Sequence, residues 1–353
     1  MADGVITPSR LGASMGTTGT YAQDNALFLK VFANEVLNAF EESNVMKELH
    51  TVRTISSGKS AQFPVTGIAT AKYHTPGEDV FEETTGGGYT TAIKHRERVI
   101  NIDDVLIAAT SVAQIDELKN HYDVRSTYTT ELGRALAKRF DLATLRTLAA
   151  AANVTSAGRS NPDAAEGTVL DLGAGGTGLP ADLSTANNII QTFRVIAQKL
   201  DENHIPSEDR FAILSPDLYY LLVGSENAAI NRDFGGSGDI ASGNVPTLLG
   251  IKIYSSPHIT DITTNEVASD DVNANNNPHD DADGASAAKG YLDAGLDVLK
   301  FLAGHRSAIG TVKLLDLAVE SEYSMQKQST LMLAKYAMGH GILRPESAIM
   351  VRS

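Results

Sequence analysis

The 353-residue chain has no cysteine and no tryptophan. Without thiols there is no disulfide, no thiolate metal ligand and no sulfur nucleophile, so the fold stands on packing alone. Positive charge is also in short supply: 29 Lys and Arg against 43 Asp and Glu leave a formal charge of −14. A surface of that sign repels nucleic-acid phosphates more than it grips them. No apolar run approaches the roughly 18 to 20 residues of a bilayer span, and "MADGVITPSRLGAS" lacks the apolar block of a signal peptide, so a cytoplasm-like compartment and no membrane partner are expected. The nine histidines form no H-E-x-x-H pair, and no G-x-S-x-G elbow occurs. What remains is an ordinary globular composition, 42% hydrophobic and 20% charged, long enough for two or three domains.

Three stretches imitate ligand sites. "TVRTISSGKSAQFP" contains Gly58-Lys59-Ser60, the end of a phosphate loop, but the first glycine of that pattern is Arg53, whose side chain blocks the inward turn of the backbone N–H groups. A tight turn leading into a strand is the better reading. Gly173, Gly175 and Gly178 have dinucleotide-loop spacing, with Asp201 beyond them. Pro180 and the candidate caps Asp182 and Ser184 nevertheless delay the helix, which in that motif must open directly from the glycines to meet the pyrophosphate. His279, Asp281, Asp283 and Gly284 resemble the start of a calcium loop, yet the first ligand is His279 and the twelfth position is Gly290. No catalytic, metal or cofactor residue is assigned.

Periodicity then sets out the chain. Residues 1–23 are small and polar and read as an arm. "DNALFLKVFANEVLNAFEESN" places Leu27, Phe28, Val31, Phe32, Val36, Leu37 and Phe40 on one face of an amphipathic helix capped by Asp24 or Asn25. Ser60–His74 and Thr90–Asp103 read as the arms of one long hairpin around a tip containing Gly86, Gly87 and Gly88. An isolated two-stranded ribbon is marginal in water, so a neighbouring copy is the expected support. Tyr128, Leu132, Leu136, Phe140, Leu145 and Leu148 mark the longest helix, with Asp123 as its cap.

A further helix carrying Ile189, Phe193, Ile196 and Leu200 precedes the buried strand "FAILSP", the helical "DLYYLLVGS" and the strand "TLLGIKIYSS", an α/β stretch. Thr264–Lys289 is an acidic, low-complexity loop expected at a surface. In the tail, "STLMLAKYAMG" and "SAIMVRS" are expected to form one small closing sheet against the long helix.

The stretches "LFLKVFANEVLNAF", "VRTISSGKSAQFPVTG", "NHYDVRSTYTTELG", "HRSAIGTVKLLDLA" and "AKYAMGHGILRPE", in that order, resemble segments of the major capsid proteins of T7-like short-tailed phages. The likeness spans roughly residues 26–148 and 304–348. It implies an α+β, HK97-type capsid fold: an N-terminal arm with its helix (1–54), an extended hairpin loop (55–103), a peripheral domain with a long spine helix (104–165 and 305–353) and an axial domain (166–304). It further implies hexamers and pentamers of this chain in an icosahedral shell around double-stranded DNA, built in the host cytoplasm with a scaffolding protein and a portal. Candidate subunit-interface residues are Phe28, Phe32 and Phe40 on the first helix; Lys59, Phe63, Tyr73 and Arg96 on the hairpin; and Arg125, Arg306, Arg344 and Glu346. Two alternatives are a cellular compartment shell of the same fold and, on the two defective glycine motifs, a nucleotide- or NAD-dependent α/β enzyme.

Overall fold

The computed structural model describes residues 44–66, 95–102, 105–113, 124–154, 166–173, 179–224, 247–263 and 298–353, with single positions at 71, 73, 74, 76, 79, 80, 115 and 119. In chain order the strands are β1 (Thr51–Thr54), β2 (Ser60–Thr66), β3 (His95–Asn101), β4 (Leu106–Ala113), β5 (Thr168–Asp171), β6 (Arg210–Leu214), β7 (Thr247–Leu248), β8 (Ile251–Ser255), β9 (Leu299–His305), β10 (Ile309–Ser324), β11 (Ser329–Ile342) and β12 (Ala348–Arg352). The helices are α1 (Val124–Ala152), α2 (Ala186–Glu202), α3 (Pro216–Val223) and α4 (His258–Thr263).

Helix α1 is the spine on which two sheets meet. Its first half sets Leu136 and Phe140 against Ala334, Tyr336 and Met338 of a four-stranded sheet ordered β1-β10-β11-β4. Its second half turns to small residues and leucines, "LATLRTLAAAA", and sinks Leu145, Leu148, Ala149, Ala151 and Ala152 against Phe211, Ile213, Leu302 and Met350 of a six-stranded sheet ordered β5-β12-β9-β6-β8-β7. Alanine is what that second contact needs: it costs no side-chain entropy in a helix and lets backbones approach closely.

The six-stranded sheet is covered on its other face by α2, whose Ile189, Phe193, Ile196 and Leu200 are fully buried. Phe193 stacks on Phe301 of β9 with centroids 5.6 Å apart. Every residue of β6 is buried, as a central strand requires. The cap of α2 differs from expectation. Thr185 is the N-cap and accepts from the Asn188 N–H, whereas Asp182 accepts from Ser184 and from the Asn188 side chain just before the helix.

The two tail strands part company. β11 pairs with β10 and β4, but β12 lies between β5 and β9 in the six-stranded sheet. The cause is the turn at Arg344–Ser347, a 3₁₀ turn opened by Pro345, which redirects the chain after β11. "TVLDL", too weak for a central strand, supplies β5, and β5 is an edge strand parallel to β12.

Candidate subunit interface

The root of the hairpin is where β2 and β3 are tied to the four-stranded sheet. β2 and β3 pair antiparallel from Ser60↔Asn101 to Thr66↔His95, and the Ile102 N–H donates to the Lys59 carbonyl at 2.9 Å, closing the base. Gly58 has φ +113°, which only glycine adopts without strain, so it makes the turn into β2. Ser60 then opens a strand, not a helix, so no helix N-terminus faces the G-K-S segment. Arg53 of β1 donates from Nη1 to the Gln62 carbonyl at 2.9 Å and lies over the Phe63 ring, 5.6 Å from its centroid.

Beneath the root, the sheet is floored by glycine. Gly310 is the cross-strand partner of Gly341, and Val312 that of Gly339, so three glycines and a valine share one face. Ile100 and Asn101 press into this floor. A Cβ on Gly339 would stand 1.9 Å from the Asn101 carbonyl oxygen, and one on Gly341 would stand 2.6 Å from Ile100. Ala61, Ile100 and Val312 form the buried cluster, with Ile55, Phe63, Ile102 and Leu343 around it.

The opposite face of the same strands holds a polar chain under α1. His50 Nδ1 lies 2.6 Å from the Met46 carbonyl, His50 Nε2 lies 2.7 Å from Thr311 Oγ1, and Thr311 Oγ1 lies 2.9 Å from His340 Nδ1. Phe140 of α1 packs on both imidazoles, 5.8 Å and 5.2 Å between centroids. Burial, with smaller contributions from Lys313 and Arg306, pushes His50 down to about 4 against the pull of the Met46 carbonyl. Next to this chain, Asp141 of α1 is buried and accepts from the backbone N–H groups of Val45 and Met46 at 3.0 and 3.3 Å, with His258 Nε2 3.9 Å away. The start of the described chain is thereby clasped to the spine.

The candidate interface residues are scattered over this frame. Phe28, Phe32 and Phe40 lie outside the described residues. Lys59 is exposed at the hairpin root, Phe63 is half-buried in the root cluster of its own chain, and Tyr73 is fully exposed. Arg96 sits on β3 opposite Val65, and Arg125 on the first turn of α1. Arg306 is exposed; its N–H donates to the Asp209 carbonyl at 3.3 Å, and its carbonyl accepts from Thr51 Oγ1 at 3.2 Å. Arg344 and Glu346 pair with each other at 2.7 Å, and the Glu346 carbonyl accepts from Asn203 at 2.9 Å. Sequence reasoning missed the glycine floor and the histidine chain. Gly339 and Gly341 at alternate positions of a strand were the available signal for the first.

Among the described residues, no group of three or more histidines and carboxylates converges as a metal site requires. None of the described helices is long and apolar enough to cross a membrane. Residues 62–352 match the profile of the Gp10A-like major capsid proteins. The chain belongs to that family. Similar relatives are the major capsid proteins of Escherichia phage T7 and Enterobacteria phage T3, each 36% identical over 96% of this chain and 95% of the relative. A capsid structure of the cyanophage P-SCSP1u superposes with a TM-score of 0.68 at 38% identity, covering 99% of this chain and 98% of that one. This Gp10A-like chain is therefore a structural phage protein with an α+β, HK97-type capsid fold, a self-assembling component of the virion shell and not an enzyme.

Proposed function

We propose that this capsid protein assembles as hexamers and pentamers into an icosahedral shell around double-stranded DNA, and that the hairpin is the clamp between subunits. The observation that carries the clamp is the anchored root: Lys59, Gly339, Gly341 and Arg53 tie down its base, and an isolated two-stranded ribbon such as β2–β3 is only marginally stable in water. An anchored base to a two-stranded ribbon suits an element whose further support comes from the next copy. In this reading residues 1–54 are the arm, 55–103 the extended loop, 104–165 with 305–353 the peripheral domain and 166–304 the axial domain; assembly takes place in the host cytoplasm with a scaffolding protein and a portal. The charge of −14 fits a container wall over which packed DNA slides without being held.

Deleting Thr75–Tyr89 tests the clamp. The subunit should keep its secondary structure by circular dichroism and lose most of its shell yield by sedimentation. Normal yields of shells with unchanged thermal stability overturn the clamp.

A further inference from the structure

Between α1 and the β10–β11 hairpin opens an apolar cleft of about 170 Å³. Leu136 and Phe140 of α1 line it with Tyr336 and Met338 of β11, and Lys47 and Lys313 complete its wall. Asn44, the first described residue, also lines it, so the chain N-terminal to the frame begins at the cleft itself. We propose that this cleft is the receptor for Phe40 of the same chain, the last aromatic of the amphipathic segment 24–43.

Size, charge and tether point to the same occupant. A cavity of roughly 150 Å³ lined by apolar side chains takes up a benzene-sized ring, so this cleft holds one phenyl group and little more. Phe40 is four residues from Asn44, within a reach of about 14 Å of extended chain. Glu41 and Glu42 follow it directly in sequence, and their charge is opposite to that of Lys47 and Lys313 in the cleft wall. Linkage by so short a segment gives Phe40 an effective concentration in the millimolar range, which an aromatic from another molecule must outcompete. The consequence is that the arm is anchored on its own spine helix, leaving Phe28 and Phe32 farther along it for contacts elsewhere. The proposal concerns a single subunit and stands apart from the clamp reading.

The absence of cysteine makes the test free of background. Cysteines placed at Ala39, next to Phe40 in sequence, and at Ala137, which lines the cleft, leave Phe40 intact, and a short bismaleimide then joins them in purified subunits. The expected product is an intrachain crosslink, separated from dimers on a denaturing gel. Adding Phe40→Ala should slow it about tenfold, as expected when an anchoring side chain is lost. Gly133→Leu should slow it equally by filling the cleft, since a Cβ at Gly133 meets nothing within 4 Å. Phe28→Ala should leave the rate unchanged. Slowing of less than threefold by Phe40→Ala, or crosslinks formed mainly between chains, overturns the proposal; Phe40→Ala alone decides it if Gly133→Leu lowers the melting temperature.

Discussion

His50 Nε2 stands 2.7 Å from the Thr311 hydroxyl, and the Met46 carbonyl at the other ring nitrogen sets the direction of that contact. The Met46 carbonyl can only accept, so His50 Nδ1 carries a hydrogen and Nε2 offers its lone pair. Thr311 therefore donates to His50, which leaves its oxygen to accept from His340 Nδ1. Each group has one role as long as His50 is neutral. A proton on His50 Nε2 would reverse the Thr311 contact and strand the hydroxyl hydrogen in a dry interior.

Stability should therefore fall with acid. The folded-state value of about 4 lies below the ordinary 6.5, so folding favours the neutral ring. The contribution is complete above pH 6.5 and is lost as pH drops from 6.5 toward 4, on the order of 3 kcal/mol in all. Chemical denaturation of the subunit across that window measures it. His50→Asn retains a donor for the Met46 carbonyl but cannot titrate; it should be less stable at pH 7.5 and show a flatter slope below 6.5. An unchanged slope would place the acid sensitivity elsewhere.

The glycine floor predicts a contrast between two Gly→Ala changes. At Gly339 the new Cβ meets the Asn101 carbonyl at 1.9 Å, a backbone atom that cannot rotate away, so Gly339→Ala should cost about 3 kcal/mol and loosen the hairpin root. Gly133→Ala, in open space on α1, should stabilise by about 0.5–1 kcal/mol through helix propensity. Urea titrations of both variants check the signs.

This difference between neighbouring kinds of glycine marks the limit of the sequence. The spine helix, the hairpin root and the alternation of α2, β6, α3 and β8 were legible because each is local periodicity: 3.6 for a stripe such as Leu132-Leu136-Phe140, or a short apolar run such as "FAIL". β1 carries no legible signal, because four residues with three exposed show no alternation. β4 went unread, its burial alternating too weakly to stand out in "LIAATSVA". The destination of β12 was misjudged because its residues suit any buried strand, and only the turn at Pro345 decides its sheet. His50 and Thr311 are 261 residues apart, and no local spacing announces such a pair.

Asp141 should prove more costly to remove than its single carboxylate suggests. It satisfies two backbone N–H groups, those of Val45 and Met46, and both Asp141 and Met46 are buried while Val45 is partly so. Asp141→Ala leaves both donors without an acceptor and should destabilise by about 3 kcal/mol. Asp141→Asn keeps one acceptor oxygen and should lose about half as much. Hydrogen exchange at Val45 and Met46 should accelerate in the same order, and protection unchanged in the alanine variant would dismiss the clasp.

Arg344 offers a way to separate folding from assembly. Its partner Glu346 is two residues away and the pair is partly exposed, with 44% and 20% of the side chains accessible. Such a pair contributes at most about 1 kcal/mol to a subunit, because solvent screens it and two side chains must be held still. Arg344→Ala should therefore leave the unfolding midpoint of the isolated subunit nearly unchanged. If Arg344 also bridges to a neighbouring copy, its loss acts once per contact around a closed shell, and small deficits multiply into a large fall in assembly. The expected outcome is a normal subunit denaturation curve together with a shell yield reduced several-fold by sedimentation. A normal yield would return Arg344 and Glu346 to the status of a surface pair, whereas a subunit weakened by several kcal/mol would show that the pair holds the Pro345 turn instead.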